Sequence, residues 1–166
     1  MNIKSLYISF LLCLFVLASC TDEKRYFEEN SDLKNIEWFK DDVKSFSFTI
    51  DDTISSYHLF YNVRNTLNYP YYNLYLQYQL ADTNGVVRNE QNELYLFDPS
   101  TGKPSGDGGI FGSGSFGDVF DHQYPFLTNF KFPHAGTYEL ELQQYMRNED
   151  PLHEIMSIGL RIEKAK

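Results

Sequence analysis

Five stretches of this chain alternate apolar and polar side chains with a period of two, and that period leaves it little to build except half-buried β-strands. Phe46, Phe48 and Ile50 alternate with Ser45, Ser47 and Thr49. Tyr57, Leu59, Tyr61 and Val63 alternate with His58, Asn62 and Arg64, and Phe60 breaks the polar side. Leu74, Leu76, Tyr78 and Leu80 alternate with Asn73, Gln77 and Gln79. Tyr138, Leu140 and Leu142 alternate with Glu139, Glu141 and Gln143, and Met156, Ile158, Leu160 and Ile162 with Ser157, Gly159, Arg161 and Glu163. Successive side chains of a strand point to opposite faces, so each stretch offers one face to a core and one to water. No stretch carries a long helical stripe.

Turn chemistry separates the strands. Asp82-Thr83-Asn84-Gly85 reads as a hairpin and Asn148-Glu149-Asp150-Pro151 as a longer turn. The pattern predicts an all-β fold, an antiparallel β-sandwich of jelly-roll or immunoglobulin-like type. Its core should hold Phe46, Phe48, Leu74, Leu76, Leu140, Leu142, Ile158 and Leu160. Pro133-His134-Ala135-Gly136-Thr137-Tyr138 fits a sandwich corner, a turn followed by a Tyr near the start of a late strand. Seven of the ten glycines lie between Gly102 and Gly117, which makes residues 98–117 a long loop.

The N-terminus carries its own mechanism. Lys4 precedes an apolar run over residues 6–17, then Ala18 and Ser19, the layout of a secretory signal. The run is too short for a span, which needs about 20 apolar residues. Leu17-Ala18-Ser19-Cys20 resembles the bacterial lipobox, in which the Cys thiol is acylated and cleavage falls just before it. Residues 1–19 are therefore expected as a lipoprotein signal peptide, 20–35 as a lipid-anchored tether and 36–166 as the sandwich. Thr21 to Asn35 is too polar to offset the entropy of ordering it. A flexible coil of that length reaches roughly 20 Å. Cys13 leaves with the signal, so no disulfide can form within the mature chain. The expected location is the bacterial envelope, by lipid in the outer membrane.

Charge narrows the partners. Lys4 leaves with the signal, so 13 of the 14 basic residues face 23 acids, and no basic cluster exists to hold nucleic acid. Asp118, Asp121 and His122 are the one concentration of titratable groups, and they are expected to hold the end of the glycine-rich loop as structural groups. A metal site needs three or more convergent ligands, so none is expected. No Gly-x-Ser-x-Gly or phosphate-cradling motif is present, and neither an enzyme nor a cofactor is expected. Asp52-Thr53-Ile54 resembles the short O-glycosylation motif of Bacteroidota envelope proteins.

The chain has 13 Tyr and 14 Phe, and Asn68-Tyr69-Pro70-Tyr71-Tyr72 gathers three tyrosines in one turn. Tyr offers an apolar body with a polar tip, which suits protein interfaces and glycan stacking alike. Tyr69, Tyr71 and Tyr72, with Phe111 and Phe116 of the long loop, are the candidate partner-binding residues, since contacts concentrate on loops held by a rigid scaffold.

Several phrases, in order, resemble the GldH gliding-motility lipoprotein family. They are Val63-Arg64-Asn65, Tyr69-Pro70-Tyr71, Gly117-Asp118-Val119-Phe120-Asp121-His122-Gln123-Tyr124-Pro125, Phe132-Pro133-His134-Ala135-Gly136-Thr137-Tyr138, Gln144-Tyr145-Met146-Arg147 and Gly159-Leu160-Arg161-Ile162-Glu163. His153-Glu154 departs from the pattern, in a loop. The resemblance implies an envelope component of the gliding machinery, coupled to type IX secretion and acting through contacts with other envelope proteins. It carries over no catalytic residue. The alternative is a surface carbohydrate-binding module.

Overall fold

A computed structural model describes residues 22, 24–105, 107–108 and 119–165. The chain runs as β1 (Arg25–Asp32), a 3-10 turn (Lys34–Ile36), β2 (Glu37–Trp38), β3 (Lys44–Ile50), β4 (Tyr57–Thr66), β5 (Asn73–Asp82) and β6 (Gly85–Tyr95). It continues as β7 (Asp107–Gly108), β8 (Val119–Phe130), β9 (Gly136–Gln144), β10 (Leu152–His153) and β11 (Ile155–Lys164). Two antiparallel sheets, ordered β1-β11-β4-β8-β7 and β3-β9-β5-β6, pack in two layers as a β-sandwich, and β10 pairs with β2 at one end.

The period of two becomes burial. Phe46, Phe48, Leu74, Leu76, Leu140, Leu142, Ile158 and Leu160 all face the space between the sheets and are buried, as the alternation requires. Rings interlock there: Phe132 meets Phe48, Tyr57 and Tyr138 edge-on with centroids 5.8, 5.3 and 4.7 Å apart, and Tyr61 stacks on Phe126 at 4.0 Å. Each buried side chain of this size contributes about 1.5–3 kcal/mol relative to an exposed one.

The turns form where their residues allow. Asp82 Oδ1 accepts from the backbone of Asn84 (2.7 Å) and Gly85 (3.1 Å), and Gly85 takes the positive φ of 132° that closes the hairpin between β5 and β6. The corner before β9 is a tyrosine corner: the Tyr138 hydroxyl donates to the His134 carbonyl (2.8 Å) and accepts from the His134 amide (3.1 Å).

One expectation is corrected. Residues 25–32, read as tether, form β1, the edge strand paired with β11 in the register Glu28↔Arg161 and Asn30↔Gly159. Backbone pairing needs no apolar side chain, and Phe27 alone reaches the core, 5.5 Å from Phe48. Arg161 fixes the polar face of β1 by binding Glu28 (3.0 Å), and Leu33, also within the expected tether, is buried. The long loop holds its first residues through Asp98, whose Oδ1 accepts from the amides of Ser100 (2.9 Å) and Thr101 (2.7 Å).

Candidate interaction surface

The three clustered tyrosines do not share a surface. Tyr69 folds inward after the turn in which its amide donates to the Thr66 carbonyl (3.2 Å), and it is only 5% exposed. Its hydroxyl donates to the Asn73 carbonyl (2.9 Å), and burial pushes its pKa well above the ordinary range. Tyr71 is half-buried and donates to Glu149. Only Tyr72 presents its ring, 48% exposed and stacked parallel to Tyr95, 46% exposed, with centroids 6.0 Å apart. The reading of Tyr69 as a contact residue is therefore corrected, and Tyr95, the last residue of β6, joins the surface. Phe111 and Phe116 lie outside the described residues, as do Cys20 and Asp118.

Other exposed apolar side chains lie on segments of the same end of the sandwich. Tyr145, Phe39, Leu67 and Val43 are each between 43% and 49% exposed. Backbone hydrogen bonds draw their segments to one end of the sandwich: Tyr145 N donates to Tyr75 O (2.8 Å), Phe97 N to Tyr72 O (3.0 Å) and Thr66 N to Glu154 O (3.1 Å). The Lys40 amide reaches Asp150 Oδ1 (3.0 Å) and closes the group. The opposite end holds the start of β1, the turn between β3 and β4, the β5–β6 hairpin and the last residues of β11. Aromatic rings with polar tips, held on rigid strand ends, are what protein contacts use as anchors.

The outer face of the five-stranded sheet is a second feature. A polar groove of about 680 Å³ runs over Glu28, Asn30, Asn62, Arg64, Asp121 and Gln123. Asn62 Nδ2 donates to Glu28 (2.9 Å) and Asn30 (3.1 Å), and Gln123 Nε2 donates to Asn62 Oδ1 (3.2 Å), so amides bridge β1, β4 and β8 above Gly159. Arg64 forks onto Asp121 at 2.7 and 3.0 Å, which raises the Arg64 pKa. Burial disfavours the Arg161 charge, but hydrogen bonds to Asp22 and Glu163 and the charge of Glu28 outweigh it and raise its pKa. The carboxylates of the groove are thus largely neutralised from within.

Asp121 and His122 do not converge, because neighbours on a strand face opposite ways. Asp121 is held by the Arg64 side chain rather than by loop backbone, correcting that expectation. His122 is buried, with Nδ1 3.3 Å from the Tyr124 hydroxyl and its ring stacked on Tyr124 at 5.7 Å. Burial pushes its pKa down to about 4. Among the described residues no group of three or more His, Cys, Asp or Glu could hold a metal ion. Asp52, in the triplet with Thr53, is engaged as a turn cap: its Oδ1 accepts from the amides of Ile54 (2.9 Å) and Ser55 (3.0 Å).

An antiparallel β-sandwich whose polar edge strand follows a lipobox-like cysteine defines a class: lipid-anchored envelope proteins. Among the described residues no helix is long and apolar enough to cross a membrane. The model of the GldH lipoprotein family matches residues 25–162, and the chain belongs to that family. It is 33% identical to the gliding motility lipoprotein GldH homolog of Christiangramia forsetii, over 94% of this chain and 93% of the relative. It is 31% identical to gliding motility lipoprotein GldH of Flavobacterium johnsoniae, over 93% of each. Among solved structures, dimeric latent PorU from Porphyromonas gingivalis aligns with 89% of this chain and 14% of its own, at 10% identity and a TM-score of 0.33.

Proposed function

We propose that this protein is a non-enzymatic component of the gliding-motility machinery, held by lipid on Cys20 in the outer membrane and acting through contacts with other envelope proteins. The observation that carries the contact reading is the gathering of Tyr72, Tyr95, Tyr145, Phe39 and Leu67 at one end of a rigid sandwich. The motility reading rests on family membership and on the names of its relatives. A non-catalytic role is supported by the pairing of the groove's charges, Arg64 with Asp121 and Arg161 with Glu28, and by the description of the family as a lipoprotein of gliding motility. Deleting the gene should abolish colony spreading, and crosslinking in whole envelopes should capture partners through the Tyr72 end. Unchanged spreading in the deletion strain contradicts the motility reading. The proposed link to type IX secretion is tested in the same strain by the proteins that reach the culture medium.

The polar groove favours a second reading. Amides, paired carboxylates and the Tyr124 ring beside them are the chemistry that holds a neutral saccharide. Titration of the purified domain with surface oligosaccharides tests it, and Asn62→Leu should remove any heat of binding.

A further inference from the structure

The chain is fixed to the sandwich almost as soon as it leaves the anchor. Asp22, two residues after Cys20, binds Arg161 on the outer face of β11, and its carbonyl accepts from the Arg25 amide (3.2 Å). Lys24 O accepts from Lys164 N (3.4 Å), so the start of β1 is stitched to the end of β11. Two residues of extended chain span at most about 7 Å. A lipid on Cys20 would therefore be held within about that distance of Asp22, beside this end of the sandwich, and not at the roughly 20 Å of a free coil.

Two surfaces lie within that reach. One is the outer face of the five-stranded sheet, where Glu28, Asn62 and Arg64 are engaged in polar contacts and, among the described residues, no large apolar side chain of β4, β8 or β11 stands exposed. The other is the end itself. There Ile54 projects 86% exposed, more than any other large apolar side chain among the described residues. Asp52 holds Ile54 out by capping the turn with both oxygens, while its Oδ2 also takes the Lys164 ammonium (2.6 Å) and its carbonyl accepts from the Tyr57 hydroxyl (2.8 Å). The tip is thus a rigid projection. Ala165 N donates to Ser56 O (2.8 Å), which seats this turn beside the end of β11. β1, β11 and β4 are neighbours, so the tip lies about two strand spacings, roughly 10 Å, from the anchored chain.

The surroundings of Ile54 suit a lipid headgroup layer. Tyr26, 37% exposed, stands edge-on to Tyr57 at 5.3 Å, and Val86, on the β5–β6 hairpin at the far edge of the same end, is 60% exposed. Lys24 and Lys131 lie at this end, as does Lys164, which Asp52 holds. Among the described residues here, Asp22 and Glu163 both bind Arg161, Asp52 binds Lys164, and Asp82 meets His134 Nδ1 (2.9 Å). Apolar tips, an amphipathic ring and cations are how a protein surface meets a bilayer interface.

We infer that the Ile54 turn is a membrane-contact site, which seats the sandwich end-on against the bilayer that holds its lipid and points the Tyr72 end away from it. The inference rests on the reading of Cys20 as the lipidated residue. Cys20 is the one cysteine left after signal removal, and acylation blocks it, so an introduced thiol is uniquely labelled. Acylated Ile54→Cys and Leu67→Cys proteins, each carrying a fluorophore, are reconstituted in phosphatidylethanolamine vesicles. The label at Ile54 should be quenched several-fold less by iodide than the label at Leu67, and more by a lipid-borne nitroxide. Equal iodide quenching at both sites in protein whose mass confirms the acyl chains overturns the seating alone. Absence of acyl mass on Cys20 overturns both the seating and the lipid reading beneath it.

Discussion

Gly159 lies under Asn30: a Cβ built on Gly159 would stand 2.0 Å from Asn30 Oδ1 and 2.6 Å from the Glu29 carbonyl oxygen. The missing side chain lets the edge strand close on β11 and lets Asn30 meet Asn62 across it. Because the second obstacle is backbone, rotating Asn30 away is not enough. Gly159→Ala should shift β1 and cost about 1–3 kcal/mol, the usual cost of overpacking. Urea unfolding at neutral pH measures it, and a loss below 0.5 kcal/mol would show that β1 yields freely.

His122 makes folding sensitive to mild acid. Burial holds its pKa at about 4 in the folded chain against 6.5 for the free side chain. Between those values the unfolded chain takes up a proton that the folded chain refuses. The resulting cost is absent above pH 6.5, grows as pH falls and levels off below about 4, reaching on the order of 3 kcal/mol. His122→Gln should flatten the wild-type fall in stability between neutral pH and pH 4.5. Parallel pH profiles for the two proteins would place the acid sensitivity elsewhere.

Tyr69 and Tyr72 should separate cleanly. Tyr69→Ala empties a buried site and should cost about 3–5 kcal/mol, as truncating large core aromatics does. Tyr72→Ser, at an exposed ring, should stay within about 0.5 kcal/mol of wild type. Thermal melts of the two variants give the comparison, and similar losses would contradict the assignment of Tyr69 to the core.

The alternation of side chains made β3, β4, β5, β9 and β11 legible; the first four expose their polar face more than their apolar one, while the outer face of β11 is covered by β1 and its polar partners. β1 was not legible in this way. An edge strand draws its order from backbone pairing and from Arg161, and its own side chains read as solvated chain. β6 hides likewise: Asn92 faces inward yet is polar, since it accepts the Tyr61 hydroxyl (2.7 Å). In the tyrosine turn, residue type marked a surface of interest but not which ring faces out. That choice is made by the Asn73 carbonyl, which holds Tyr69 inside, and by Tyr95, which arrives from β6 to stack on Tyr72. Nothing local in the sequence announces that pairing.

The contact end is the central claim, and colony spreading tests it most directly. A strain carrying Tyr72→Asp with Tyr95→Asp as its sole copy should make folded, acylated protein at wild-type abundance and fail to spread on agar. Two exposed carboxylates in place of stacked rings repel an apolar partner surface without disturbing the core. Wild-type spreading by that strain would contradict the account, since the end of the sandwich it assigns to partner contacts would then be dispensable.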